Sequence, residues 1–145
     1  MAYARPGKTR RRARIWVISH CEIFVMGRTW RVDEMVHGAA RSLRRAVLLI
    51  QTLLVEAGSW WRIEETGVGD LDTFAPSRFY SRGGRLLSQA PVHQGIRAWP
   101  RKRAKQLAFV RDSLREARQR GDARLVRTYT VTLKAMLQTP RRLTR

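Results

Sequence analysis

Acidic residues are scarce in this chain of 145 residues. It holds 11 aspartate and glutamate residues against 30 lysine and arginine residues, so its formal net charge at pH 7 is +19. A soluble domain of this size ordinarily carries a net charge of about 2–8, and a larger excess repels itself and destabilises the compact state. The shortage of acids therefore predicts a polyanionic partner that offsets the charge.

Cysteine and long apolar runs are equally sparse. Cys21 is the only cysteine, so an internal disulfide bond is excluded, and the three histidines form no pair at zinc-binding spacing. The longest apolar stretch, residues 46–55, is shorter than the ~20 residues that a membrane span needs, and no signal-peptide core follows the basic N-terminus. We expect no metal, no cofactor and no membrane partner, and a cytoplasmic or other reducing compartment that contains nucleic acid.

Arginine is what the chain has in excess, since only four of its basic residues are lysine. Arginine binds phosphate and guanine edges bidentately and stacks on bases. A GC-rich reading frame also enriches arginine, but it does not explain the shortage of acids. Arginine-rich segments separated by flexible stretches are typical of proteins that fold onto structured RNA, and no zinc-finger, homeodomain or basic-zipper signature is present. RNA is therefore a more favoured partner than DNA.

The charge pattern and the turn signals predict one small domain between two basic ends. Residues 1–12 form a basic flexible arm, residues 13–138 the domain and residues 139–145 a basic tail. Within the domain we expect a β-hairpin over 13–32 that turns at 19–22, a long core helix over 34–57 and a short strand over 60–65. An irregular region, with a brief element at Leu86 and Leu87, follows to about residue 97. Helices over 101–120 and 122–138 form a basic hairpin. The predicted fold is α+β and predominantly helical, with an all-α fold as the alternative.

Three clusters of basic residues are the candidate nucleic-acid contacts. Four basic residues and no acid lie between residues 97 and 111, whereas acids normally alternate along a solvated helix face. Trp99 lies at the start of this basic stretch and suits base stacking, worth ~1–3 kcal/mol per base. Trp60 and Trp61 cannot both point into a core from one strand, so we expect one of them to be exposed or half-exposed; the alternative is that the tryptophans cap the edges of the core. The predicted contacts are Arg10, Arg11, Arg12 and Arg14; Arg41, Arg44 and Arg45; and Trp99, Arg101, Lys102, Arg103, Lys105, Arg111, Arg115 and Arg118.

No constellation of residues predicts catalysis. His20 and Cys21 are adjacent, and adjacent residues on a strand point to opposite faces, so they do not form a nucleophile and base pair. Asp70 and Asp72, with Glu64 or Glu65, are the only carboxylates that could serve a Mg²⁺-dependent nuclease, and a solvated loop is the simpler interpretation. No glycine-rich phosphate-binding motif occurs.

The stretch VRDSLREARQRGDARLVRTY, followed by MLQT, belongs to a region that resembles the helical segment preceding the fingers of group II intron-type reverse transcriptases. The resemblance covers residues 98–140 and implies a hairpin that grips structured RNA; no polymerase motif follows it. Together these observations predict a non-catalytic RNA-binding protein, a small subunit of a ribonucleoprotein complex with other protein subunits. The alternatives are a DNA-binding protein of a phage or mobile element and, less favoured, a small Mg²⁺-dependent nuclease.

Overall fold

The computed structural model of the chain describes residues 13–67 and 77–144. The strands form one antiparallel sheet in the spatial order β2-β1-β3-β4-β5. The elements in chain order are β1 (Arg14–Met26), β2 (Thr29–Ala40), α1 (Leu43–Thr52), β3 (Trp60–Gly67), β4 (Ser77–Tyr80), β5 (Leu86–Leu87), α2 (Val92–Arg120) and α3 (Ala123–Leu137).

The prediction that the fold is predominantly helical is wrong, and so is the all-α alternative. Strands account for 32% of the described chain and helices for 44%, so the fold is mixed α+β. Two wrong secondary-structure predictions explain why the extent of the sheet was underestimated. The region up to residue 97 was expected to be irregular apart from a brief element at Leu86 and Leu87; that element is β5, but the region also contains β4 and the start of α2. The region after residue 33 was expected to be helical but belongs partly to β2.

The N-terminal hairpin exists, but its turn lies later than predicted. β1 runs without interruption through Ser19 and Cys21, both of which are buried, and the chain reverses at Gly27 and Arg28. Gly27 has a φ of +59°, a left-handed conformation that glycine adopts without steric cost. Small polar residues at 19–22 therefore mark a buried section of the strand and not a turn.

Seven of the 24 residues of the long helix predicted over 34–57 belong to β2. Residues 29–40 pair with β1 throughout, apart from one irregularity next to Ile18. α1 begins only after Ser42, whose side chain accepts a hydrogen bond of 3.2 Å from the backbone N–H of Arg45, and it ends at Thr52 and not at Gly58. Pairing with β1, the other strand of the hairpin, overrides the helical spacing of the apolar residues, because strand preference depends mainly on tertiary context.

The C-terminal helical hairpin is present, with an earlier start than predicted. α2 begins at Val92, so Pro100 lies inside the helix and not at its first turn. Gly121, with a φ of +69°, ends α2, and the Asp122 side chain caps α3 by accepting a hydrogen bond from the backbone N–H of Leu125. Within the described ranges, no helix combines the length and the apolar character that crossing a membrane requires.

The core consists of two clusters on opposite faces of the sheet. Trp61 packs with α1 residues such as Ile50, and its neighbour Trp60 packs with Trp99 of α2. Adjacent strand residues point to opposite faces, so α1 covers one face and α2 covers the other. Trp60 is 1% exposed and Trp61 0%, and the expectation that one of them is exposed is wrong because both faces are covered.

Two glycines allow α2 to lie directly on the sheet. A Cβ atom on Gly95 would come within 2.5 Å of Ile23 Cγ1, and a Cβ atom on Gly58 would come within 2.6 Å of Ala98 Cβ. Gly58 also has a φ of +84°, which disfavours any side chain there. This close approach holds the N-terminal half of α2 against the sheet, and α2 also packs on α3.

The segment after α3 returns to the sheet. The indole N–H of Trp99 donates to the carbonyl oxygen of Pro140 at 2.9 Å, and the indole N–H of Trp30 donates to the carbonyl oxygen of Thr144, also at 2.9 Å. Leu143 is buried in the same cluster as Trp99. Residues 139–144, predicted to be a basic tail, therefore pack against the domain.

Candidate nucleic-acid interface

The exposed side of α2 carries a stripe of arginines. Arg97 and Arg101 are four residues apart, as are Arg111 and Arg115, and all are exposed. Such spacing places side chains on one side of a helix. Arg118 continues the same side toward the C-terminal end of α2, which is about 44 Å long at 1.5 Å per residue. We call these five residues the arginine stripe.

A groove between α2 and α3 adjoins the arginine stripe. It consists of two cavities of about 450 Å³ and 410 Å³, and Arg111 borders both of them. The first is also lined by Arg103, Ala104, Leu107, Leu137, Thr139 and Arg141, and the second by Leu114, Arg115, Arg118, Gln119 and Leu133. This hairpin groove thus has leucines at its base and arginines at its edges, an arrangement that suits an extended anionic chain with apolar parts.

The helical hairpin has far more positive charge than its own acids can balance. Residues 92–144 contain 14 lysines and arginines and three acids. Asp112 pairs with Arg115 at 2.6 Å, Glu116 pairs with Arg120, and Asp122 caps α3. Exposed ion pairs of this kind contribute only ~0–1 kcal/mol each. The 14 basic residues and three acids leave residues 92–144 with a net charge of +11.

The structure does not bring the three predicted basic clusters together. Arg10, Arg11 and Arg12 lie outside the described residues. Arg14 is exposed at the start of β1 and forms an ion pair of 3.0 Å with Glu65. Arg41, Arg44 and Arg45 are exposed at the beginning of α1, which covers the sheet face opposite α2. One nucleic-acid surface does not include both α1 and α2 arginines.

The predicted residues of α2 occupy different environments. Arg101, Lys105, Arg111, Arg115 and Arg118 are exposed. Lys102 is half-buried, with its Nζ 2.7 Å from Glu22 Oε2 and 3.9 Å from Glu56 Oε2, and Arg103 is half-buried and donates from Nε to Thr139 Oγ1 at 3.0 Å. Trp99 is only 4% exposed. Trp99 cannot stack on a base there, because the earlier start of α2 places it over the sheet and not at a free helix end.

Sequence reasoning missed Arg97 and Arg141. The four-residue step from Arg97 to Arg101 was a usable signal, but the helix had been predicted to begin after residue 97. Arg141 reaches the hairpin groove only because the segment after α3 folds back, and no local sequence pattern indicates that contact.

The carboxylates of the nuclease alternative are dispersed or undescribed. Glu64 pairs with Arg62 and Glu65 with Arg14, whereas Asp70 and Asp72 lie outside the described residues. Across residues 13–67 and 77–144, no group of three or more histidine, cysteine, aspartate or glutamate side chains is placed to hold a metal ion. The nuclease alternative stays a prediction.

His20 and Cys21 point to opposite faces of the sheet. The His20 ring lies 5.4 Å from the Trp61 ring, whereas Cys21 packs in the cluster that contains Trp60. Burial, and to a lesser extent the nearby Glu34 carboxylate, raises the pKa of Cys21 to about 12. Since the thiolate is the nucleophile, this thiol is inert in the folded protein.

We expect Cys21 to react with a thiol reagent at pH 8 about 100-fold more slowly in the folded protein than in denaturant, because both burial and the raised pKa suppress the thiolate. Following the release of chromophore from an aromatic disulfide reagent, with and without guanidinium chloride, measures both rates. Equal rates would contradict the buried position of Cys21.

Comparisons with known proteins identify no relative. The chain matches no protein-family model, no curated protein and no solved structure. The resemblance of residues 98–140 to a reverse-transcriptase segment stays a prediction and carries no further argument.

Proposed function

We propose that this chain is a non-catalytic RNA-binding protein that holds the RNA backbone along the α2–α3 hairpin. The observation that carries the proposal is the unbalanced charge of residues 92–144, with 14 basic and three acidic residues around an open groove. Arginine donates two parallel hydrogen bonds to one phosphate, and a row of such contacts follows a backbone.

The surroundings of the arginine stripe favour unpaired nucleotides. The hairpin groove offers leucines as well as arginines, so it suits bases as well as phosphates. Phe109 is exposed on α2 one turn beyond Lys105 and lines neither cavity of the hairpin groove, so its ring is available only to bases that lie on the Lys105 side of the helix. Single-stranded loops and ends are the parts of RNA whose bases are free to make such contacts. Phosphate contacts position the protein and supply affinity without sequence preference.

The proposal includes other protein subunits, as in a ribonucleoprotein complex within a cytoplasmic or other reducing compartment. Support comes from β2, which is 12 residues long and lies at the edge of the described sheet. Met35 and Val36 on this strand are exposed. A long edge strand with apolar side chains is a common site of association with another chain.

A DNA-binding protein of a phage or mobile element is the second candidate, because phosphate contacts alone do not distinguish the two nucleic acids. The test is to purify the full chain, wash it at low and at high salt, and sequence the nucleic acid that stays bound. We expect RNA after the low-salt wash. One dominant structured RNA after the high-salt wash would indicate a dedicated ribonucleoprotein subunit, because phosphate contacts alone weaken steeply with salt. Predominantly DNA would favour the second candidate, and no nucleic acid at either salt would overturn the proposal.

A further inference from the structure

A further cavity lies along the first half of α2, next to the hairpin groove, with Ala104 bordering both. Its volume is about 860 Å³, which is within the range of small-ligand pockets. Three segments form it: the loop after α1, the turn between β4 and β5, and the first half of α2. Its lining residues are Leu54, Val55, Glu56, Ala57, Arg82, Ala98, Arg101, Lys102, Ala104 and Lys105.

Four cations but only one carboxylate line this cavity. Lys102 is already balanced, because it lies 2.7 Å from Glu22 and 3.9 Å from Glu56, which is the carboxylate of the cavity. Arg82, Arg101 and Lys105 are exposed, and none of them takes part in an ion pair with another described residue. Three cations that form no ion pair within residues 13–67 and 77–144 therefore line one concave site.

The charge of the site indicates which phosphate it fits. An internal phosphodiester of a nucleic acid carries a single negative charge, whereas a terminal phosphate monoester carries about −1.5 to −2 at pH 7 and offers three acceptor oxygens. Two arginines and a lysine match the dianion better than the monoanion. The alanines of α2 and the fully exposed side chain of Leu54 supply an apolar wall against which a base or sugar can pack.

We infer that this cavity binds the terminal phosphate of a nucleotide, held by Arg82, Arg101 and Lys105. The same chemistry has two sources: the 5′-phosphorylated end of an RNA strand, and a free nucleoside monophosphate. The first rests on the proposed RNA-binding function, because the strand would run from the cavity onto the arginine stripe, which includes Arg101. The second does not depend on that function.

The test measures the affinity of the full chain for one short single-stranded RNA with a 5′-phosphate and for the same RNA with a 5′-hydroxyl group, by fluorescence anisotropy of a 3′-label. We expect the phosphorylated RNA to bind about tenfold more tightly, since charge-assisted hydrogen bonds are roughly twice as strong as neutral ones. The double variant Arg101→Gln/Lys105→Gln should reduce this ratio to about one. The matched control Arg124→Gln/Lys134→Gln removes the same two charges from α3, so it should leave the ratio unchanged even if it weakens both RNAs.

A ratio near one in the unmodified protein, with both RNAs binding, overturns the inferred site and leaves the proposed function intact. If neither RNA binds, the proposed function fails. The inferred site is then tested by calorimetry, which compares the affinity of the protein for adenosine 5′-monophosphate with its affinity for adenosine. Preference for the monophosphate that is lost in Arg101→Gln/Lys105→Gln supports a free nucleotide as the ligand. Absence of that preference overturns the site.

Discussion

Replacing Trp60 or Trp61 with alanine is expected to lower the free energy of unfolding by about 3–5 kcal/mol in each case. Each indole ring is buried in a different cluster, Trp60 under α2 and Trp61 under α1. Each substitution leaves a cavity that the surrounding side chains cannot fill, so both clusters lose packing. Urea denaturation followed by far-ultraviolet circular dichroism, on protein freed of nucleic acid, measures the two differences.

Phe109→Ala is the control for these two variants. Phe109 is an aromatic residue exposed on α2, and its replacement should change the free energy of unfolding by less than about 0.5 kcal/mol. A small effect of one tryptophan substitution, alongside a large effect of the other, would mean that one face of the sheet is open to solvent. That result would contradict the arrangement in which α1 and α2 cover opposite faces.

The parts of the fold that could be predicted are those with local signals. Gly121 and Asp122 end one helix and begin the next, and the helical hairpin lies where they indicate. The failure over residues 34–40 has a different origin. Apolar residues there recur at helical spacing, but the segment pairs with residues 16–21 of β1, across the hairpin and 13 to 24 positions earlier in the chain. Helical spacing in one segment contains no information about that partner.

In the candidate interface, too, only the features with a local sequence signal could be predicted. The basic stretch without acids that begins at Arg101 predicts an exposed basic helix face, and Arg101 and Lys105 are exposed there, whereas Lys102 and Arg103 are half-buried. The position of Trp99 depends on where α2 begins, and the separation of the α1 arginines from the α2 arginines depends on which sheet face each helix covers. The position of Trp99 and the separation of the two groups of arginines are both consequences of the tertiary structure. A sequence can indicate that arginines are available for phosphate, but not which of them share a surface.

Replacing Arg111, Arg115 and Arg118 together with glutamine is expected to weaken RNA binding about 100-fold, if each loses a charge-assisted contact worth roughly 1 kcal/mol after screening. All three line the hairpin groove. A plot of the logarithm of the association constant against that of the salt concentration should also become shallower by about two, since each single-strand phosphate contact contributes about 0.7 to its slope. Anisotropy titrations of one single-stranded RNA between 50 and 200 mM salt measure both quantities.

The control variant replaces Arg41, Arg44 and Arg45 with glutamine, and it distinguishes a local contact with RNA from attraction by total charge. It removes the same charge from exposed positions at the start of α1, on the sheet face opposite α2. Net charge acts on both variants alike through long-range attraction, which is screened beyond roughly 8–10 Å at these salt concentrations. A local contact of RNA with the hairpin groove is lost only in the variant of Arg111, Arg115 and Arg118. We therefore expect the α1 variant to keep its affinity within about threefold and its salt slope unchanged. Equal losses in the two variants would show that the protein attracts RNA by total charge, and the α2–α3 hairpin would no longer be the interface.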